Sequence, residues 1–110
     1  MAVREYLLQK PENHDNIEQL AHRAGMSVPS FCAAFVQWFG ISPGQCRLHA
    51  RLDRACYYLR QHSYPVNEVA SLVGYDDMYQ FSRIFKKHLG VSPGKWCGKL
   101  KGDFRRKSVL

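Results

Sequence analysis

Residues 74–94 read GYDDMYQFSRIFKKHLGVSPG, and the order of residue types in this stretch decides the fold. A Gly-aromatic-Asp-Asp turn leads into a segment where Phe81, Ile84, Phe85 and Leu89 recur at helical spacing. That spacing turns Tyr79, Gln80, Ser82, Arg83, Lys86 and Lys87 outward. Gly90 stops the helix, and Ser92-Pro93-Gly94 opens the next. A short helix that is apolar on one face and polar and basic on the other suits insertion into a DNA major groove. It suits equally well an ordinary amphipathic helix with a solvated basic face. A second copy of the unit shifts the balance.

Ile17 to Gly44 reads IEQLAHRAGMSVPSFCAAFVQWFGISPG, and Val66 to Gly94 reads VNEVASLVGYDDMYQFSRIFKKHLGVSPG. At an offset of 49, Ile17, Leu20, Ala21 and Gly25 match Val66, Val69, Ala70 and Gly74. At an offset of 50, Phe31, Phe35, Gly40 and Ser42-Pro43-Gly44 match Phe81, Phe85, Gly90 and Ser92-Pro93-Gly94. The one extra residue falls in the turn after the glycine, where an insertion costs little. Such self-similarity means one supersecondary unit used twice. Each copy has the parts of a helix-turn-helix: a short helix with a small Ala, a Gly suited to a left-handed residue, and a second helix after a tight turn. The first unit spans about 16–40 and the second about 66–89. Between them, about 43–61 forms a connecting helix with Leu48, Leu52, Ala55, Cys56 and Leu59 on one side and Arg47, Arg51, Arg54 and Arg60 among them. At about 1.5 Å per residue it is roughly 27 Å long, near the ~34 Å between successive major grooves on one side of a duplex.

The 110 residues amount to one domain. The formal net charge of +7 favours an anionic partner. That charge is uneven: residues 1–55 hold 6 Lys/Arg against 5 Asp/Glu, and residues 56–110 hold 10 against 4. No apolar run approaches a membrane span and no signal peptide opens the chain, so a cytoplasmic, nucleoid-associated protein is expected. Cys32, Cys46, Cys56 and Cys97 show no CxxC spacing; three of the four read as small buried residues of a reduced protein. No cysteine or histidine pair has metal-ligand spacing, so neither metal nor cofactor is expected. His14, His22, His49, His62 and His88 read as solvated residues, none beside a nucleophile.

Ala2 to Gln9 is expected to form a first helix that buries Val3, Tyr6 and Leu7, ended by Pro11 and the polar run that follows. Asp15 or Asn16 caps the next helix, which runs to Ala24, and Ser27 caps the one after, with Pro29 in its first turn. That helix, the first recognition helix, has Phe31, Phe35 and Phe39 as its core face. Its exposed positions are Ser30, Cys32, Ala33, Val36 and Gln37, a set without Arg, Lys or Asn and therefore a weak reader of bases. Ala33 suits a thymine methyl, Ser30 a phosphate, and Gln37 a phosphate or base edge. Asn67 or a neighbour caps the first helix of the second unit. Asp76 and Asp77 cap the second recognition helix, where the dipole favours negative charge. Here Arg83 suits guanine or a phosphate, Gln80 adenine, Met78 and Tyr79 thymine, and Lys86 and Lys87 phosphates. Trp96 and Leu100 close a last short helix. The tail, about 100–110, is basic, lacks periodicity and is expected to be mostly disordered.

The second unit with its flanks, VNEVASLVGYDDMYQFSRIFKKHLGVSPGKW, resembles the C-terminal signature of the AraC/XylS transcription regulators. The resemblance runs upstream through Arg51-Leu52 and Ala55 to Ile17 and covers roughly residues 2–99. It implies an all-α fold of seven helices, with two helix-turn-helix subdomains joined by a long connecting helix. It also implies binding of asymmetric DNA sites through exposed positions of the recognition helices. Carried over, these are Pro29, Cys32 and Ala33 in the first, and Met78, Tyr79, Gln80, Ser82 and Arg83 in the second. Arg51 resembles a family arginine that is more often structural than DNA-facing. Cys46 stands where an aromatic is usual and Cys97 where an Arg is usual, both read as packing variations. Family members usually carry an N-terminal effector or dimerisation domain, and the helix that starts at Ala2 favours a fragment of such a protein.

The leading expectation is sequence-specific double-stranded DNA binding by a bacterial transcription regulator, with two helices in successive major grooves and RNA polymerase as a further partner. The alternative is a protein-interaction module in which only the second unit touches DNA, supported by the polar-poor Pro29/Cys32/Ala33/Val36 face. A third, alkyl transfer to a cysteine, lacks the cationic or metal cluster that lowers a thiol pKa. An enzyme is not expected.

Overall fold

The computed structural model describes residues 2–61 and 64–99, apart from the side chains of 97–99. Within these residues lie seven α-helices and no strand: α1 (Ala2–Gln9), α2 (Ile17–Arg23), α3 (Val28–Phe39), α4 (Pro43–Arg60), α5 (Val66–Leu72), α6 (Met78–Leu89) and α7 (Pro93–Lys99). The expectations for His62, Leu100 and the basic tail fall outside the described residues.

Local chemistry explains most boundaries. Asn16, not Asp15, caps α2: its side chain accepts from the Gln19 N–H at 2.8 Å, and Gln19 Oε1 accepts from the Asn16 N–H at 2.8 Å. Asp15 is occupied elsewhere, accepting from the Tyr6 hydroxyl at 2.9 Å and from Arg23 Nε at 3.0 Å. Ser42 and Gln45 make the same reciprocal pair at the start of α4, and Ser27 caps α3 with Pro29 in the first turn. In α5 the sequence reading needs correction. Pro65 is the N-cap and Asn67 lies inside the first turn. The carbonyl of Pro65 accepts from the N–H groups of Glu68 and Val69, both at 3.0 Å, so no side-chain cap is used. A helix has one N-cap position, and in α6 Asp77 holds it, accepting from the Tyr79 N–H at 2.8 Å; Asp76 is exposed one residue before.

The helices bury two hydrophobic cores, one at each end of α4. Val3, Leu7, Leu20, Ala21, Phe31, Phe35 and Cys46 make the first. Leu52, Ala55, Cys56, Leu59, Val69, Ala70, Val73, Tyr75, Phe81, Phe85 and Trp96 make the second. Tyr6, expected inside, is half-buried: its ring lies under the Arg23 guanidinium, 4.0 Å away, while its hydroxyl reaches Asp15. The paired phenylalanines repeat their geometry, with centroids 5.8 Å apart in Phe31–Phe35 and 5.7 Å in Phe81–Phe85. A third ring meets each pair from a different source. Trp96 comes from α7 onto Phe85 at 5.9 Å, whereas Phe39 of α3 itself meets Phe35 at 4.8 Å. Cys46 stands at the position equivalent to Trp96, and the larger Phe39, where the second unit has Leu89, accompanies that smaller side chain.

Three arginines one turn apart on α4 close the carboxyl end of α1. Arg54 donates to the carbonyls of Leu8 and Gln9 at 3.3 Å. Arg51 donates to Pro11 O at 2.6 Å and Asn13 O at 2.7 Å. Arg47 donates to Asn13 Oδ1 at 2.9 Å and Asp15 O at 2.6 Å. Carbonyls that a helix end and its loop leave without backbone partners are satisfied by charged donors.

Candidate nucleic-acid interface

The second helices of the two units, α3 and α6, carry the same exposure pattern position for position. From Val28 and Met78 onward, half-buried, exposed and buried residues alternate identically through Phe39 and Leu89 and on to Cys46 and Trp96. Two exposed positions precede the first core phenylalanine, Pro29-Ser30 and Tyr79-Gln80. A third exposed position lies between the phenylalanines, Ala33 and Arg83. Three more follow, Val36-Gln37-Trp38 and Lys86-Lys87-His88. Both helices stop on a left-handed glycine, Gly40 at φ 79° and Gly90 at φ 85°, whose N–H closes the last turn on the residue four back.

Of the candidate contact residues, Ser30, Ala33 and Gln37 are exposed on α3, and Tyr79, Gln80, Arg83, Lys86 and Lys87 on α6. Tyr79 is 70% exposed, which is high for so large a ring. Cys32, Ser82 and Met78 are half-buried, so the expectation that they face outward is corrected. Cys32 and Ser82 directly follow the buried phenylalanine. At 100° per residue they sit on the flank of the core stripe rather than opposite it, and Cys32 packs on the first core. Trp38, 60% exposed, and His88 are equivalent surface positions that the sequence reading did not single out for a role. The available signal was the offset-50 alignment itself, which takes Trp38 off the apolar stripe.

The two faces differ in charge. On α6, Arg83, Lys86 and Lys87 are exposed, the two lysines in the last turn where the helix dipole favours cations, with Asp77 at the opposite end. The exposed residues of α3 are all uncharged. Arg83, Gln80 and Tyr79 can therefore meet a base edge from a helix whose other exposed groups attract phosphate, whereas α3 offers methyl and methylene surface with Ser30 and Gln37 as its polar groups.

Among the described residues no group of three or more His, Cys, Asp and Glu is placed to hold a metal ion. Burial pushes the Cys46 thiol up, away from the reactive thiolate, and Cys56 is also buried. No helix among the described residues is long and apolar enough to cross a membrane.

Comparison with known proteins agrees with this geometry. A family profile described as a helix-turn-helix domain matches residues 20–99. An uncharacterized HTH-type transcriptional regulator of Haemophilus influenzae is 38% identical over 90 residues, covering 82% of this chain and 30% of that protein. The arabinose operon regulatory protein of Salmonella typhimurium is 33% identical over 85 residues, covering 77% of this chain and 30% of that protein. The chain thus spans about 30% of the length of these relatives. Among solved structures, the DNA-binding domain of AdpA, a global transcriptional factor crystallised with a target DNA, superposes with a TM-score of 0.85 at 27% identity, covering 92% of this chain and 93% of that one. With its duplicated helix-turn-helix geometry and these relatives, the chain belongs to the AraC-type family of helix-turn-helix DNA-binding domains of transcription regulators.

Proposed function

We propose that the chain binds double-stranded DNA sequence-specifically by laying α3 and α6 into successive major grooves on one face of the duplex. The observation that carries this reading is the identical exposure pattern of α3 and α6, one at each end of an 18-residue α4. A rod of that length, roughly 27 Å, holds its two heads close to the ~34 Å groove repeat. In this reading the first unit (about 16–40) and the second (about 66–89) are separate heads of one domain. Arg83 takes guanine, Gln80 adenine and Tyr79 a thymine methyl, with Met78 at the edge of the contact. Lys86 and Lys87 hold phosphates, Ser30 a phosphate, Gln37 a phosphate or base edge, and Ala33 a thymine methyl. Cys32 and Ser82, on the flanks, contribute little. The similarity to the AdpA domain, crystallised with its target DNA, supports DNA binding by this fold.

The relatives are more than two and a half times as long as this chain, which supports a place within a longer regulator. In this reading that regulator carries an effector or dimerisation domain, acts in the cytoplasm at the nucleoid and contacts RNA polymerase. No enzymatic step is part of this reading. Hydroxyl-radical footprinting tests it: two protected segments about one helical turn apart are expected on the same face. One segment alone supports the second reading, in which the uncharged α3 face with exposed Val36 and Trp38 docks a protein and only α6 reads DNA.

A further inference from the structure

The two units have matching burial along their helices but diverge at the turn between them. Ala24-Gly25-Met26 is open to solvent or half-buried, and a Cβ on Gly25 would meet nothing within 4 Å. Val73-Gly74-Tyr75 is buried throughout. Val73 and Tyr75 belong to the second core, and Gly74 between them is covered from outside its own unit. A Cβ on Gly74 would lie 2.9 Å from Arg51 Cζ and 3.0 Å from the Cα of Glu12, and the glycine adopts φ 102°, a conformation that L side chains rarely adopt. The Arg51 guanidinium also sits 5.1 Å from the centroid of the Tyr75 ring, within cation–π range. The same guanidinium donates to Pro11 O and Asn13 O, in the loop that joins α1 to α2.

Arg51 therefore joins α4, to which it belongs, to the α1–α2 loop that leads into the first unit and to the turn of the second. A duplication need not produce such a contact, since its equivalent is missing at Gly25. We propose that Arg51, seated in the space that Gly74 leaves, is a positioning residue that fixes the orientation of α6 relative to the first unit, and hence the spacing of the two half-sites the chain accepts. The inference rests on the two-groove reading above. Arg47 and Arg54 donate to α1 and the loop after it, whereas Arg51 also lies against the turn at Gly74.

The mechanism is geometric. One added base pair moves the second groove by ~3.4 Å and turns it by roughly 34° about the duplex axis. A rigidly tied pair of heads cannot follow that change, whereas heads joined by α4 alone can swivel. The guanidinium fork suits this role because it satisfies two carbonyls and lies on a ring simultaneously, which a lysine cannot do.

The test is a spacing profile. The duplex recovered by selection with this chain is remade with one or two base pairs inserted or removed between its half-sites, and dissociation constants are measured for wild type, Arg51→Met and Arg51→Lys, each confirmed folded by helical circular dichroism and a cooperative melt. Wild type is expected to lose roughly tenfold or more per base pair. Arg51→Met is expected to bind the original spacing more weakly but to lose only about threefold per base pair, with Arg51→Lys between the two. If both variants weaken binding by the same factor at every spacing, leaving the profile sharp, Arg51 is merely structural and the proposal is overturned. A flat wild-type profile overturns the two-groove reading itself, and the proposal with it. A variant that does not fold is replaced by Tyr75→Leu, which removes the ring under Arg51 and keeps apolar bulk; an unchanged sharp profile there counts against the proposal too.

Discussion

Ala33 and Arg83 stand at the same place on α3 and α6, two residues past a fully buried phenylalanine and both exposed. One unit has put a methyl group, and the other a guanidinium, where the helix projects farthest from its core. In the proposed reading this difference gives unequal work to two helices that share one frame. Arg83→Ala is expected to weaken specific binding by about 1–3 kcal/mol, roughly 5- to 150-fold, and to relax the preference at a single base pair. Ala33→Ser, measured by the same titration against a panel of single-base variants, is expected to change affinity by no more than a few-fold. Equal losses from the two substitutions would remove the asymmetry between the heads.

Lys86 and Lys87 are exposed in the last turn of α6, and in their proposed role as phosphate ligands they would act without regard to sequence. Changing both to Ala is expected to lower affinity for specific and random duplexes by similar factors. The slope of log K against log[salt] should flatten by about two units, close to one for each lysine. Loss confined to the specific duplex would assign these lysines to bases instead.

Capping supplies a stability prediction with an internal control. Asp77 accepts from the Tyr79 N–H at the start of α6, whereas Asn67 lies inside α5, whose cap is Pro65. Asp77→Ala is expected to cost ~1 kcal/mol, or about 4–8 °C in the melting temperature of a domain this size. Asn67→Ala should be within about 0.5 kcal/mol of wild type. Differential scanning calorimetry reads both, and a larger loss at Asn67 would return the cap to that residue.

The hydrogen bond from the Tyr6 hydroxyl holds the Asp15 carboxyl below its ordinary range, helped by Arg23 and by the nearby charge of Arg47, against a smaller opposing effect of burial. A carboxyl depressed in the folded state contributes stability that is present above its unfolded pKa and disappears as the pH falls through the folded one. Wild type should therefore melt above Asp15→Asn at pH 7, and the gap should narrow from about pH 4 downward. A gap that is constant from pH 7 to pH 3 would mean that the ionised form of Asp15 adds nothing.

What the sequence made legible was chiefly local or periodic. The two units and the phenylalanine stripes follow from spacing, the count of seven helices was implied by the family resemblance, and Ser27, Ser42 and the glycines Gly40 and Gly90 act within one turn of their own positions. The turn at Asp15–Asn16 left a choice of caps, and the choice is made by residues elsewhere: Tyr6 and Arg23 draw Asp15 away and leave Asn16 to the helix. Cys32 and Ser82 looked exposed because polarity and spacing alone do not separate the flank of a stripe from its opposite face. Arg47 and Arg54 read as charges scattered along a rod, since their partners lie more than 30 residues away, in the last turn of α1 and the loop after it. The close approach of Arg51 and Glu12 to Gly74 is likewise a long-range relationship that no local pattern encodes.

The central claim, that two unequal heads at the ends of α4 read one DNA face, is tested most directly by selection from a random duplex library with this chain at two salt concentrations. The account predicts two enriched blocks about 10 base pairs apart, both persisting at the higher salt, with the sharper base preferences in the block that loses its motif when Arg83 is changed to Ala. Enrichment that yields no motif and vanishes at moderate salt would leave only nonspecific attraction to phosphate and would contradict it.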